Sequence, residues 1–136
     1  VQLKGTLRTL NEEWRFKAHG LIEQLTKGLV ESMGGTVETN IMVGYPYLQN
    51  DTELTIRNKA FAEEYLGKEN VVDLSVRMTA EDFAYYTHEV PGCFYRLGTQ
   101  SPDGSNAAPV HNSHFDIDEK ALETGVGLMA WMALKN

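Results

Sequence analysis

The stretch from about Asp118 to Leu134 constrains this chain more than any other. Its spacing predicts a helix, and Leu122, Val126, Leu128, Met129, Trp131 and Met132 put apolar side chains on nearly every side of it. Such a helix expects cover on several sides, as the layers of an α/β domain provide. The same region offers only two convincing strands, Val71 to Val76 and the apolar run Cys-Phe-Tyr-Arg-Leu-Gly from Cys93. Two strands are thin for a sheet that must bury helices. The partner strands are therefore expected elsewhere, in a longer polypeptide. The opening Val-Gln-Leu-Lys-Gly-Thr-Leu-Arg agrees, since it lacks Met and a signal-type apolar core and is already strand-like.

The first part reads as strand, helix, strand. Residues 1–9 alternate enough for a short strand. Asn11 is a good N-cap, with Glu12 and Glu13 in a first turn where the helix dipole favours anions. Trp14, Ala18, Leu21, Ile22, Leu25, Leu29 and Met33 then follow a helical period and predict one buried stripe, ended by Gly34-Gly35. Val37, Thr39, Ile41 and Val43 alternate with polar residues, which predicts a strand with one wet face. After Tyr45-Pro46-Tyr47, either Asn50 or Asp51 can cap a helix running to about Leu66, with Leu54, Ala60, Phe61 and Tyr65 inward and Gly67 closing it. A dense loop, Met-Thr-Ala-Glu-Asp-Phe-Ala-Tyr-Tyr-Thr-His-Glu-Val-Pro-Gly, and a polar stretch over 99–114 complete the chain. The boundary between the two parts is expected between Val43 and Asn50.

Charge and composition exclude several classes. With 19 acidic and 12 basic residues among 136, the net charge of −7 leaves no basic cluster for a nucleic-acid backbone. No apolar run approaches the roughly 20 residues of a membrane span. The one cysteine, Cys93, rules out an internal disulfide and suits a reducing compartment such as the cytoplasm. It reads as an ordinary core or half-buried thiol.

Chemistry gathers in Ala-Pro-Val-His-Asn-Ser-His-Phe-Asp-Ile-Asp-Glu-Lys-Ala-Leu, residues 107–121. A histidine on a loop before a helix is most often a surface or capping residue. Three features favour a metal ligand at His111. The acidic pair Glu81-Asp82 lies between Ala80 and Phe83, where carboxylates are costly without a partner. Both loops follow strands, and ligands of open α/β sheets gather at strand carboxyl ends. A catalytic cation also wants imidazole, carboxylates and an open water position. Yet no His-Glu-x-x-His or Cys-x-x-Cys pair exists, and His111 and His114 need not converge on a loop. His19 and His88 stand alone and read as surface histidines.

Four stretches in register carry a resemblance: Val-Gln-Leu-Lys-Gly-Thr-Leu-Arg-Thr-Leu, Met-Thr-Ala-Glu-Asp-Phe-Ala-Tyr-Tyr, Pro-Gly-Cys-Phe-Tyr-Arg-Leu-Gly and Val-His-Asn-Ser-His-Phe-Asp-Ile-Asp-Glu-Lys-Ala-Leu-Glu-Thr-Gly-Val-Gly-Leu-Met-Ala. Over essentially its whole length the chain resembles the C-terminal part of the metallo-amidohydrolases that include hippurate hydrolase and N-acyl-amino-acid hydrolases, within the aminoacylase and glutamate carboxypeptidase superfamily. The resemblance implies an α/β fold, with residues 1–46 as half of an α+β lid and dimerisation domain and residues 47–136 as the end of an α/β/α catalytic domain. It implies His111 as the final metal-binding histidine and leaves His114 at a variable position. Glu81 and Asp82 match a Glu-Asp-Phe signature beside the active site, as site-shaping residues; Thr79 stands where the family usually has Gly, a departure expected to stiffen that loop. Arg8 matches a lid arginine that helps bind a substrate carboxylate, for which its bidentate fork is suited. A purely structural lid role for Arg8 has equal standing.

The implied parent binds two divalent ions, zinc or manganese with cobalt or nickel also suitable, and hydrolyses N-acyl-amino acids by metal-activated water. It is implied to be a cytoplasmic homodimer through its lid. The family's Cys-x-His pair, its general-base Glu and its middle histidine are expected upstream, so the chain alone should be inert. Two other readings stay open: a non-catalytic dimerisation module, and a small enzyme with a private metal site at His111, Glu81 and His88.

Overall fold

The computed structural model describes residues 1–136. It contains four α-helices, α1 (Glu12–Ser32), α2 (Thr52–Leu66), α3 (Ala84–Glu89) and α4 (Lys120–Lys135), with a single 3-10 turn at Lys68–Asn70 after α2. Two compact units make up the chain: residues 1–49 with 75–91, and residues 50–74 with 92–136.

In the first unit α1 starts where its cap directs. Asn11 is extended, and its side-chain oxygen accepts from Trp14 N–H at 2.8 Å. The helix ends in a glycine turn. Gly34 takes φ 76°, its N–H donates to the Glu31 carbonyl, and Gly35 N–H reaches the Val30 carbonyl, both at 3.0 Å. Arg15 is buried, against ordinary preference, with both terminal nitrogens of its fork bonded and Nε left without a partner. Nη1 donates to the carbonyls of Gly44 (3.2 Å) and Tyr45 (2.8 Å), and Nη2 pairs with the Glu12 carboxylate. The other Glu12 oxygen accepts from Tyr47 N–H at 3.2 Å. One i,i+3 ion pair therefore pins residues 44–47 to the first turns of α1.

The stripe expected to bury α1 is largely in water. Ala18 is buried, but Leu25, Leu29 and Met33 are 69, 65 and 80% exposed. A second difference is α3, which forms inside the segment expected to be loop. Its turn is opened by main-chain bonds from Ala84 N–H to Glu81 O and Tyr85 N–H to Asp82 O. Six residues are too few for a periodic signal to emerge from sequence.

In the second unit Asp51 caps α2 by accepting from Leu54 N–H at 2.8 Å, and Gly67 closes it at φ 89°. Asn50 does something else. Its amide accepts from Phe94 N–H (2.7 Å) and donates to Phe94 O (2.8 Å), while Asp51 N–H donates to Gly92 O (2.9 Å). A side chain thus supplies the pair of bonds that a neighbouring strand would supply. Packing centres on α2 and α4: Ala62, Leu128 and Met132 are buried, with Phe61, Leu66, Val71 and Tyr95 against them. Burying Leu128 and Met132 contributes on the order of 2 kcal/mol each. Polar contacts fasten the far end, Lys135 to Glu64 at 3.1 Å and Asn136 to Asn58 at 2.7 Å.

The strands expected over residues 1–9, 37–43, 71–76 and 93–98 do not form, so the layered α/β architecture is not seen. A strand has no hydrogen bonds of its own and needs a neighbour for its ladder. No two of these segments pair. Val71 has extended dihedrals, φ −114° and ψ 112°, with no partner strand. The cover expected around α4 is likewise one-sided, and Leu122, Val126, Met129 and Leu134 stay exposed. No helix is long and apolar enough to cross a membrane.

Candidate functional site

His111 lies in the second unit, on the loop that joins Thr99 to Asp118. Its φ of 64° is a left-handed conformation, and no other residue besides glycine has a positive φ. Such strain clusters where the surroundings over-determine a functional residue. The side chain is exposed, and no hydrogen bond or ion pair engages its ring. Local bonds shape the residues after it: Phe115 N–H donates to Asn112 O at 3.0 Å, and His114 N–H to Asn112 Oδ1 at 2.9 Å. Earlier in the loop, the Asp103 carboxylate accepts from Ser105 N–H at 3.0 Å, which holds its pKa below the usual aspartate range.

The other family-implied residues lie in the first unit. Arg8 Nη1 donates to the Met78 carbonyl at 2.9 Å, which joins residue 8 to the chain just ahead of Glu81 and Asp82. Arg8 makes no ion pair, so the rest of its fork faces solvent. The costly carboxylates expected between Ala80 and Phe83 are not buried: Glu81 is half-exposed and Asp82 exposed, while their carbonyls start α3.

Other residues have structural engagements. His88 Nε2 lies 2.9 Å from the Tyr47 carbonyl, and its ring packs edge-on against the Tyr47 ring. His19 packs edge-on against Phe16, and Cys93 is half-buried. A shallow groove in the first unit is lined by Leu10, Asn11, Glu12, Glu13, Tyr47 and His88, and none of the family-implied residues borders it. Sequence reasoning passed over Arg15 and Asn106 and offered Asn50 only as a helix cap, a role that Asp51 takes. The Glu12-x-x-Arg15 spacing was a legible signal for the first; nothing marked Asn106 or the bonds of Asn50 to Phe94.

No three His, Cys, Asp or Glu side chains gather closely enough to hold a metal ion. His111, with a free imidazole on a polar loop, suits one ligand position in a site that needs further residues.

Comparison with known proteins is consistent along the chain. Residues 4–135 match the model of peptidase family M20/M25/M40. The chain is 31% identical over 134 residues to Probable hydrolase sll0100 of Synechocystis sp., covering 98% of this chain and 34% of that protein. It is 34% identical over 129 residues to the N-acetyldiaminopimelate deacetylase of Bacillus pumilus, covering 95% and 33%. To thermostable carboxypeptidase 2 of Saccharolobus solfataricus it is 29% identical over 136 residues, covering 99% and 34%. No solved structure matches. The chain spans about a third of the length of these curated relatives. With nearly every residue from the Arg8 segment to the end of α4 inside one family match, this chain belongs to peptidase family M20/M25/M40.

Proposed function

We propose that this chain is the C-terminal part of a metal-dependent amidohydrolase that cleaves N-acyl-amino acids into a carboxylic acid and an amino acid. The carrying observation is the family match over residues 4–135, with relatives named deacetylase and carboxypeptidase. The unengaged imidazole of His111 supports a ligand role in a site completed by residues outside the chain. Two divalent ions, zinc or manganese, would there polarise the amide carbonyl and acidify water. Arg8, fixed through one nitrogen to Met78 O, keeps donors for the carboxylate of the amino-acid product. Glu81 and Asp82 shape the adjoining turn. No residue of this chain serves as general base, so the chain by itself is inert.

In this reading residues 1–46 belong to a lid that forms a homodimer and residues 47–136 to the catalytic domain, in a cytoplasmic enzyme. The exposed apolar stripe of α1 supports the dimer.

The test uses the full-length protein, stripped of metal and titrated with zinc or manganese. Assays on hippurate and N-acetyl-amino acids are expected to give metal-dependent hydrolysis that His111→Ala lowers at least a hundredfold. Absence of turnover, or turnover indifferent to His111→Ala, overturns the reading.

A further inference from the structure

The loop that carries His111 is closed at one carbonyl. Thr99 O accepts from Asp118 N–H at 2.8 Å and from Asn106 Nδ2 at 3.1 Å. Asn106 Oδ1 in turn accepts from Ser101 N–H at 2.5 Å. The half-buried Asn106 amide therefore folds residues 99–106 into a closed lobe. It also shares its acceptor with the bond that brings the two ends of the whole loop together. Beyond that lobe, residues 107–117 contain no helix or strand and only short-range bonds, two at Asn112 and one from Ile117 N–H to Asp116 Oδ1 at 2.8 Å. A loop of this length, released from its base, samples many arrangements. An imidazole held loosely loses metal affinity, because the cost of ordering it falls on the binding step.

We infer that Asn106 is a positioning residue for His111: its side-chain amide fixes the base of the 99–118 loop and so presets where the imidazole stands. This rests on the amidohydrolase reading for what His111 binds; the order of the loop does not.

Asn106→Ala and Asn106→Asp in the full-length protein test it. Aspartate keeps the acceptor for Ser101 and loses the donor to Thr99, at nearly unchanged volume, and serves if the alanine variant does not fold. Amide hydrogen exchange in the metal-free protein is expected to speed up about tenfold at His114 and Phe115 in Asn106→Ala, without matching change in α2 or α4. Zinc affinity, read by competition with a chromophoric chelator, is expected to fall about tenfold while kcat at saturating zinc holds. Asn106→Asp is expected to fall between Asn106→Ala and the wild type in both. Unchanged loop exchange with unchanged zinc affinity overturns the inference. A lowered melting temperature with exchange raised evenly through the molecule, and wild-type zinc affinity, also overturns it, because that is a structural role alone. A wild type that takes up neither zinc nor manganese overturns the amidohydrolase reading instead, and loop exchange then decides whether Asn106 holds the loop.

Discussion

At the scale of single residues, His111 combines an exposed, unengaged ring with a backbone φ of 64°. Left-handed backbone costs a non-glycine residue roughly 1–2 kcal/mol, although histidine tolerates it better than most. That conformation separates the backbone's interest from the ligand's. His111→Gly removes strain and adds unfolded-state freedom, so its stability is expected to equal or exceed the wild type by up to about 0.5 kcal/mol. His111→Val, β-branched and ill-suited to this region, is expected to lose about 2 kcal/mol. Urea melts of the chain check both. A loss above about 1 kcal/mol for His111→Gly would mean the imidazole stabilises the fold, against its free role. His111 could be named as a candidate from sequence because the resemblance that carries it sits in one motif. Asn50 and Asn106 could not. An asparagine in a polar stretch looks like any cap or turn residue, and the backbone Asn50 grips, at Phe94, is far along the chain.

Among the elements, the three long helices were legible and the strands were not, for one physical reason. α1 and α2 carry their own hydrogen bonds, their own caps at Asn11 and Asp51, and their own stops at Gly34 and Gly67. Everything needed to draw them lies within the segment. The contact between α2 and α4 depends on something subtler. A Cβ on Gly127 would run into Tyr65 Oη and stand 2.9 Å from Tyr65 Cζ, so the glycine leaves room for that ring, which also lies 6.0 Å from the Trp131 ring. Two effects oppose each other in Gly127→Ala. Alanine gains about 1 kcal/mol of helix propensity, and moving the hydroxyl end of Tyr65, which is 42% exposed, costs about as much. The two are expected to cancel, leaving a net change near zero. In a Tyr65→Ala background the clash is gone, and the same substitution is expected to stabilise. Thermal melts of the four proteins in this cycle decide it; a substitution that stabilises in both backgrounds would mean Tyr65 does not occupy that seat.

For the whole molecule the telling fact is how much apolar side chain remains in water. Val72, Leu74 and Val76 are exposed where a buried strand was expected, and so are Leu122, Val126 and Met129 on α4. Alternation along a strand reports that one face wants cover; it carries no information about which segment covers it. The chain spans about a third of its relatives' length, and the α/β layers inferred from sequence require partners that these residues do not provide. The α1 stripe is a separate case, since Leu21, Ile22, Leu25, Leu29 and Met33 form a regular helical row suited to a second helix of the same kind. Two like helices meeting along such rows bury the same patch on both copies, the self-complementary contact of a two-fold dimer. Leu25 and Leu29 sit near the centre of the row, where interface energy concentrates. Leu25→Glu with Leu29→Glu would set four carboxylates against apolar neighbours and against one another, a cost of several kcal/mol in the dimer and almost none in a solvated monomer. Sedimentation of the full-length protein is expected to give a dimer for the wild type and a monomer for the double variant, with the helix content of both unchanged. A wild type that remains monomeric at high concentration, or a double variant that remains dimeric, removes α1 as the contact and leaves its row to be covered by other parts of the same polypeptide.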